Sequence, residues 1–290
     1  MAGKREIKRN RNWIPGAVIT LAVAALLTLL GGSYGVAADS PVAEANAESA
    51  AVVPAVPMPI LGREPAGPVA LEEEKAPWPG PVAESAAVED GYFADAVFLG
   101  DSRTDGLRLY SGLKEGKFLC LTGATVESVF TKKAWKTAEG TEVPLLDALA
   151  QEECGKIYLM LGINELGWAG TDIFRQQSRT LLERLQADHP EAEIYIQSIL
   201  PVSAAQDAQK SYVNNSRIAD YNQVWRELAE ELELAYLEVG EVLTGEDGCL
   251  PKDLTYDGVH LNPRGCKIWL EYLRTHTVEG AAQAAERAEE

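Results

Sequence analysis

Two short segments of the sequence hold residue types suited to nucleophilic catalysis. One is Gly100-Asp101-Ser102, and the other is Asp257-Gly258-Val259-His260, where a carboxylate precedes a histidine by three residues. A serine hydroxyl is a weak nucleophile unless a neighbouring base takes its proton. Of the three histidines, only His260 is predicted in a loop with a carboxylate beside it. We therefore predict that Ser102 is a nucleophile, that His260 is its base and that Asp257 accepts the Nδ1 proton of the imidazole.

Attack by a serine on a carbonyl group also requires donors for the negative charge that forms on the oxygen. Three groups are candidates for this oxyanion hole: the backbone N–H of Ser102, the backbone N–H of Gly123 and the side-chain amide of Asn164. Each also has a purely structural explanation. Asp101 or Ser102 would cap a helix, Asn164 would belong to a turn, and Gly123 would provide a positive φ after a strand.

These residues must be brought together by the elements on either side of them. Short apolar runs predict buried strands, and longer amphipathic stretches predict helices. The alternation of the two predicts an α/β domain with a parallel sheet covered on both faces. The ligand crevice of such a sheet lies beyond the carboxyl ends of its strands, where the candidate residues fall. The predicted strands are Ala96–Leu99, Phe118–Leu121, Ile157–Leu161, Ile194–Ile199 and Ala235–Val239, and the predicted helices are Pro144–Cys154, Thr171–Asp188, Val213–Leu234 and Pro263–Thr275.

In their order along the chain, these segments resemble the four blocks of the SGNH (GDSL-type) hydrolase family, which supply Ser, Gly, Asn and His. The matching residues are Ser102, Gly123, Asn164 and His260, and the resemblance spans roughly residues 92 to 275. It implies a three-layer, flavodoxin-like α/β fold and hydrolysis of an ester through an acyl-serine intermediate, with no metal or organic cofactor. The predicted hydrolase domain, residues 91–278, contains no G-x-S-x-G elbow of the α/β-hydrolase type. It departs from the family where Glu165 replaces the aspartate that usually follows the asparagine.

The resemblance implies a substrate that is an acylated small molecule or a polysaccharide carrying acetyl or short acyl esters. Arg103, Trp168 and Pro201 are expected at the rim of the substrate site, and core packing is an equal explanation for Trp168. Two other functions stay open: a sugar O-acyltransferase with the same triad, and a catalytically inactive, stalked glycan-binding domain. A net charge of -18 argues against nucleic acid as a partner.

The N-terminal region predicts attachment to a membrane. Residues 1–13 carry a charge of +4 as a basic tail, and residues 14–38 are uncharged and long enough to cross a bilayer. The basic flank predicts a cytoplasmic N-terminus and a domain outside the cell. The alternative is a signal peptide that is cleaved near Ala38 and leaves a secreted protein.

The region between this segment and the catalytic domain has the composition of a spacer. Residues 39–90 hold nine of the 15 prolines and a charge of -8, which predicts a disordered Pro/Ala/Glu-rich linker. The hydrolase domain is expected at residues 91–278 and a flexible tail at residues 279–290. In an exported domain, Cys249 and Cys266 either form a disulfide or are ordinary core residues.

Overall fold

The computed structural model describes residue 78 and residues 80–279. The predicted basic tail (1–13) and membrane segment (14–38) lie outside the described residues. So do most of the predicted linker and all but the first residue of the predicted C-terminal tail. Within the part of the chain that the structure describes, no helix is both long and apolar enough to cross a membrane.

The main sheet has five parallel strands. Its strands are β1 (Ala96–Gly100), β2 (Lys117–Cys120), β5 (Lys156–Met160), β6 (Glu193–Gln197) and β7 (Ala235–Leu237), and a separate antiparallel hairpin is formed by β3 (Trp135–Lys136) and β4 (Glu142–Val143). The order in the main sheet is β2-β1-β5-β6-β7, with every neighbouring pair parallel. Without the hairpin strands this is the flavodoxin-like order, whose crevice opens at the carboxyl ends of β1 and β5.

Helices cover both faces of the sheet and give three layers. They are α1 (Ser102–Tyr110), α2 (Ser128–Thr131), α3 (Leu145–Leu149), α4 (Thr171–Asp188), α5 (Ala204–Asp207), α6 (Asn215–Leu232) and α7 (Pro263–Thr275). Successive side chains of β1 point to opposite faces: Val97 and Leu99 join the core under α3, α4 and α6, whereas Ala96 and Phe98 join the core under α1 and α7. The prediction of an α/β domain with a covered parallel sheet is confirmed.

A row of aromatic rings fixes the register of four strands on the α1 and α7 face. Phe118, Phe98, Tyr158 and Tyr195 stack in that order, with ring centroids 4.5, 4.9 and 4.6 Å apart. Each stacked pair is also a directly paired position in the ladder. Such cross-strand pairs stabilise a sheet in one register. The ends of β2, β1 and β5 are therefore held at one level, with Gly100 opposite both Cys120 and Met160.

The predicted elements agree with the structure to different degrees. The helices predicted at Thr171–Asp188 and Pro263–Thr275 have those bounds, whereas the one predicted at Pro144–Cys154 ends at Leu149. Helix α1 and the hairpin β3–β4 were not predicted as elements. Helix α1 buries Arg103 and Thr104 together with Leu107, so its buried face has no apolar stripe to identify it.

Residues 80–90, which were predicted to belong to the disordered linker, lie against the domain. The N–H of Val82 donates to the carbonyl of Tyr236 on the edge strand β7, and that of Val88 donates to the carbonyl of Arg274. Both valines also pack against the core under α7. Covering an edge strand in this way protects its open hydrogen-bonding groups. The ordered domain therefore begins before residue 91.

All four cysteines are free thiols. The disulfide considered between Cys249 and Cys266 is therefore absent, and the alternative of ordinary core residues is correct. Cys266 is fully buried, with its thiol donating to the carbonyl of Gly106 at 3.5 Å. Cys249 is 9% exposed and accepts a hydrogen bond from the amide of Asn215 at 3.4 Å.

Candidate active site

Ser102 lies at the start of α1, directly beyond the end of β1. Asp101 caps this helix, because its Oδ1 accepts the N–H of Arg103 at 2.8 Å. A Cβ at Gly100 would lie 2.1 Å from Oγ1 of Thr104, so only glycine allows the helix to pack this close to the strand. The N–H of Ser102 belongs to the first turn, where backbone donors have no partner within the helix.

A tightly bonded loop presents His260. Oδ1 of Asp257 accepts the backbone N–H groups of Val259 at 2.9 Å and of His260 at 2.8 Å. Oγ1 of Thr255 donates to the carbonyl of His260 at 2.7 Å and accepts the N–H of Gly258 at 2.9 Å. Gly258 has φ +89°, and a Cβ there would lie 2.5 Å from Oγ of Ser203. The loop conformation is thus fixed by its own polar side chains and by a glycine that nothing larger can replace without a shift.

Ser102, His260 and Asp257 form a continuous chain of hydrogen bonds. Oγ of Ser102 lies 2.9 Å from Nε2 of His260, and Nδ1 of His260 lies 2.7 Å from Oδ2 of Asp257. A carboxylate only accepts, so Nδ1 carries the proton and Nε2 accepts from the Ser102 hydroxyl. Burial opposes ionisation of Asp257, but the hydrogen bonds from His260 and Val259 outweigh it and lower the pKa of Asp257. This arrangement can take a proton from Ser102 as the oxygen attacks a carbonyl carbon.

The site is open to solvent. The side chains of His260 and Asp257 are 44% and 55% exposed. A large substrate can therefore approach the imidazole without first opening the fold.

The side-chain amide of Asn164 joins the loops that follow β1, β2 and β5. Its Nδ2 donates to the carbonyl of Ala124 at 2.9 Å and lies 3.4 Å from Oδ2 of Asp101. Ala124 is next to Gly123, and Asp101 is next to Ser102, so the three predicted oxyanion donors come from segments in mutual contact. Gly123 is exposed in a turn with φ +75°, which also agrees with its structural explanation.

Two buried carboxyl groups lie behind these donors. Burial raises the pKa of Asp101, although the N–H and the charge of Arg103 act in the opposite direction. Burial also raises the pKa of Glu165 to about 8, opposed by the hydrogen bond from Val126 and assisted by the charge of Asp101. Oε1 of Glu165 accepts the N–H of Val126 at 2.7 Å, and Oε2 has no hydrogen-bond partner among the described residues. A protonated Glu165 is therefore favoured at neutral pH.

The three residues predicted at the substrate rim are placed differently from one another. Arg103 is only 3% exposed, with Nη1 donating to the carbonyl of Leu200 at 2.7 Å, and Pro201 is also buried. Burial lowers the pKa of Arg103 to about 10, against the charges of Asp101 and Asp257. These two residues are therefore not on an open rim. Trp168 is half-buried and packs against the apolar core, in agreement with its packing explanation.

Sequence reasoning missed the contact between Glu165 and Val126. The sequence marks Glu165 only as a departure from the usual aspartate and indicates no partner for its side chain. One indication is present in the sequence: Glu165 is a charged residue next to Asn164 in an otherwise apolar stretch. A charged side chain is rarely fully buried unless it has a partner. Its partner lies 39 positions away in sequence, which no local pattern reveals.

The sequence matches the model of one known protein family. The model of the GDSL-like lipase/acylhydrolase family matches residues 98–268, which is more than half of the chain and includes Ser102, Asn164 and His260. No curated protein matches the chain.

Several solved structures are similar to the chain. One, from Streptococcus pneumonia and described as a candidate platelet activating factor, is 24% identical, with 62% of this chain and 81% of that chain covered and a TM-score of 0.50. A GDSL-like lipase from Bacteroides thetaiotaomicron VPI-5482 is 15% identical, with 68% and 90% covered and a TM-score of 0.46. An acetylxylan esterase from Geobacillus stearothermophilus is 16% identical, with 61% and 91% covered and a TM-score of 0.43. At 24% identity and a TM-score of 0.50, the similarity to the Streptococcus pneumonia structure shows a shared fold.

Proposed function

The chain belongs to the GDSL-like lipase/acylhydrolase (SGNH hydrolase) family and is an ester-bond hydrolase, and on that premise we propose that Ser102 is its nucleophile. His260 is the general base, and Asp257 orients the imidazole. The observation that carries this assignment is the distance of 2.9 Å between Oγ of Ser102 and Nε2 of His260. A nucleophile in hydrogen-bond contact with a base, which a third group orients in turn, is the arrangement that serine catalysis requires.

The first half of the reaction forms an acyl-enzyme. Oγ of Ser102 attacks the ester carbonyl carbon while Nε2 of His260 takes the hydroxyl proton, and Asp257 stabilises the imidazolium that results. The tetrahedral intermediate collapses when the C–O bond to the alcohol breaks. His260 gives its proton to the departing alkoxide, so the alcohol leaves neutral and the acyl group stays on Ser102.

The second half releases the acid. A water molecule attacks the acyl-serine carbonyl while His260 takes one of its protons, and the bond to Oγ of Ser102 then breaks as that proton returns to the serine. Both tetrahedral intermediates carry negative charge on the former carbonyl oxygen. The N–H groups of Ser102 and Gly123 and the amide of Asn164 are the donors that we assign to this oxygen.

The substrate class that we assign is an acetyl or short-chain acyl ester on a polysaccharide of the cell envelope or the environment. The open surface around His260 and Asp257 supports a substrate in which the ester projects from a long polymer, because the polymer need not enter a tunnel. A net charge of -18 favours neutral or cationic polymers over polyanions.

Release of acid from defined esters tests this assignment. We expect the protein to hydrolyse p-nitrophenyl acetate faster than the octanoate ester and to release acetate from an acetylated polysaccharide. Ser102→Ala should abolish both activities, whereas Ser111→Ala, at the other end of α1, should leave them intact. Faster hydrolysis of the longer ester would reject the short-acyl assignment, and transfer of acetate to an added sugar in place of water would identify an acyltransferase.

We also assign the protein to the membrane, with its N-terminus in the cytoplasm and its hydrolase domain outside. The support is the sequence alone: a charge of +4 in residues 1–13 precedes the uncharged residues 14–38. Fractionation of cells that express the full chain tests this. Retention in the membrane fraction with residue 14 still present is expected, together with digestion of the domain by external protease. A soluble extracellular product that begins after Ala38 would show that the segment is a cleaved signal peptide.

A further inference from the structure

Glu165 is a fully buried carboxyl group directly behind the candidate oxyanion hole, and the triad does not use it. Its side chain is 0% exposed, and Oε1 accepts the N–H of Val126 at 2.7 Å. Its own backbone is held as well, since its carbonyl accepts the hydroxyl of Tyr221 at 2.9 Å and the N–H of Trp168 at 2.8 Å. The carboxyl group therefore extends from a well-fixed backbone to the loop that follows β2.

Asn164 and Glu165 hold that loop at two points. The amide of Asn164 donates to the carbonyl of Ala124, and the carboxyl of Glu165 accepts the N–H of Val126 two residues later. Gly123 immediately precedes residues 124–126, the segment that these two hydrogen bonds hold. We propose that Glu165 is a positioning residue for ester hydrolysis: its side chain clamps the loop after β2 and so fixes the N–H of Gly123 relative to the amide of Asn164.

The carboxyl group of Glu165 can hold the loop after β2 while it is uncharged, which suits a position behind the oxyanion hole. Burial raises the pKa of Glu165 to about 8, and the neighbouring carboxyl of Asp101 adds to that effect. The other groups that face it are the hydroxyl of Tyr221 and, beyond it, the guanidinium of Arg217. A neutral carboxyl accepts the N–H of Val126 without placing a negative charge beside a developing oxyanion. An ionised one would repel that charge, more strongly in a buried site than in water.

This inference rests on the proposed function, because it concerns the rate of ester hydrolysis. The competing explanation is that Glu165 only stabilises the fold. The two differ in what changes after substitution: a structural residue affects unfolding, whereas a positioning residue affects kcat and its dependence on pH.

Three variants separate these explanations. Glu165→Leu removes the acceptor for a buried N–H, and Glu165→Gln keeps an acceptor but cannot ionise. The matched control is Gln197→Leu, because Gln197 is also 0% exposed and its Oε1 accepts a single buried donor, Nε1 of Trp269, at 2.8 Å. For each full-length variant, kcat and KM are measured on p-nitrophenyl acetate from pH 6 to 10, together with urea unfolding.

We expect Glu165→Leu to lower kcat about 10- to 100-fold with a smaller change in KM, since small displacements of a catalytic group have effects of this size. We expect the wild-type kcat to fall above about pH 8, where Glu165 ionises, and we expect Glu165→Gln to match the wild-type kcat at pH 7 and to show no such fall. Gln197→Leu should lose stability and keep its kcat.

Three results would overturn the proposal: a wild-type kcat in Glu165→Leu, an equal loss of kcat in Gln197→Leu, or a failure of Glu165→Gln to restore kcat at pH 7. If Glu165→Leu does not fold, an alkaline profile of Glu165→Gln that superimposes on the wild type would also overturn it. Failure of the proposed function is distinguishable, because Ser102→Ala would then retain activity in the same assay.

Discussion

The amide nitrogen of Asn164 donates to the carbonyl of Ala124 at 2.9 Å and lies 3.4 Å from Oδ2 of Asp101. One of its two hydrogens is thus committed to holding a loop. The other is directed at Oδ2 of Asp101, over a distance at the long end of the hydrogen-bond range. For Asn164 to donate to an oxyanion, a carbonyl oxygen bound near Ser102 must replace this contact with Asp101. The same side chain can therefore fix the loop and donate to the oxyanion.

Replacing Asn164 by alanine should lower kcat about 10²- to 10³-fold, because one donor to the oxyanion is lost. KM should change little, since the missing interaction is made mainly in the transition state. The control is Asn222→Ala, which removes an amide that bonds both the N–H and the carbonyl of Ile199. Both variants should lose stability, but a comparable loss of kcat in the control would contradict the role assigned to Asn164.

Asp257→Asn should lower kcat by about 10³- to 10⁴-fold while the loop keeps its fold. The amide oxygen can still accept the N–H groups of Val259 and His260, as Oδ1 of Asp257 does. The amide nitrogen, however, cannot accept the Nδ1 proton, so the tautomer that serves Ser102 is lost. Steady-state kinetics and thermal unfolding would show this. Asp253→Asn, an exposed carboxylate paired with Arg264, is the matched control, and an unchanged rate in Asp257→Asn would mean that another group orients His260.

Gly258→Ala should reduce both stability and kcat, whereas Gly248→Ala should reduce stability alone. Both glycines have positive φ, at +89° and +76°, so an alanine at either position is strained by roughly 1–2 kcal/mol. Of the two, only at Gly258 does the new Cβ also meet a neighbour, Oγ of Ser203 at 2.5 Å, so either this hydroxyl, which caps α5, or the loop that carries His260 must shift. Urea unfolding and kcat measured on both variants would test this. Equal kcat values in Gly258→Ala and Gly248→Ala would contradict an effect of this contact on the position of His260.

The free energy of unfolding of the wild type should fall relative to that of Glu165→Gln as the pH rises from about 5 to 8. The pKa of Glu165 is about 8 in the folded protein and about 4.3 in an unfolded chain. In this interval the folded state holds a proton that the unfolded state releases, so stability declines by up to about 1.4 kcal/mol per pH unit and levels off above pH 8. Urea unfolding at pH 5, 6, 7, 8 and 9 measures the difference. Parallel curves would contradict the raised pKa.

Much of the fold follows from local sequence patterns. Ile218, Tyr221 and Trp225 recur at steps of three and four within the predicted helix Val213–Leu234. All three side chains are buried in α6, as a helix packed on a sheet requires. Apolar runs located the strands but not their ends. Ile199 and Val239 continue two of these runs and are buried, yet they lie beyond the last ladder pair, Gln197 with Leu237. Ladder pairing ends where the partner strand ends, and a single strand's sequence does not encode its partner's length.

The candidate site was predictable to the extent that its residues follow strands. Ser102, Asn164 and the Asp257 to His260 loop were placed together by the rule that parallel strands share a carboxyl end. The rim residues were not predictable by that rule, because it locates a backbone position and not the direction of a side chain. Arg103 follows Ser102 directly and is buried, and its guanidinium donates to the carbonyl of Leu200 in the segment that follows β6. This contact joins residues that are 97 positions apart in sequence, so no local pattern predicts it.

The most direct measurement of the central claim is covalent labelling of the purified full chain with a fluorophosphonate, followed by mass spectrometry of the modified peptide. This probe forms a stable bond to a serine whose hydroxyl is activated by a neighbouring base. We predict one label on Ser102, no label in Ser102→Ala and labelling slowed by orders of magnitude in His260→Ala. Absence of reaction across pH 6 to 9, or a label on another serine that persists in Ser102→Ala, would contradict the assignment of Ser102 and His260 as nucleophile and base.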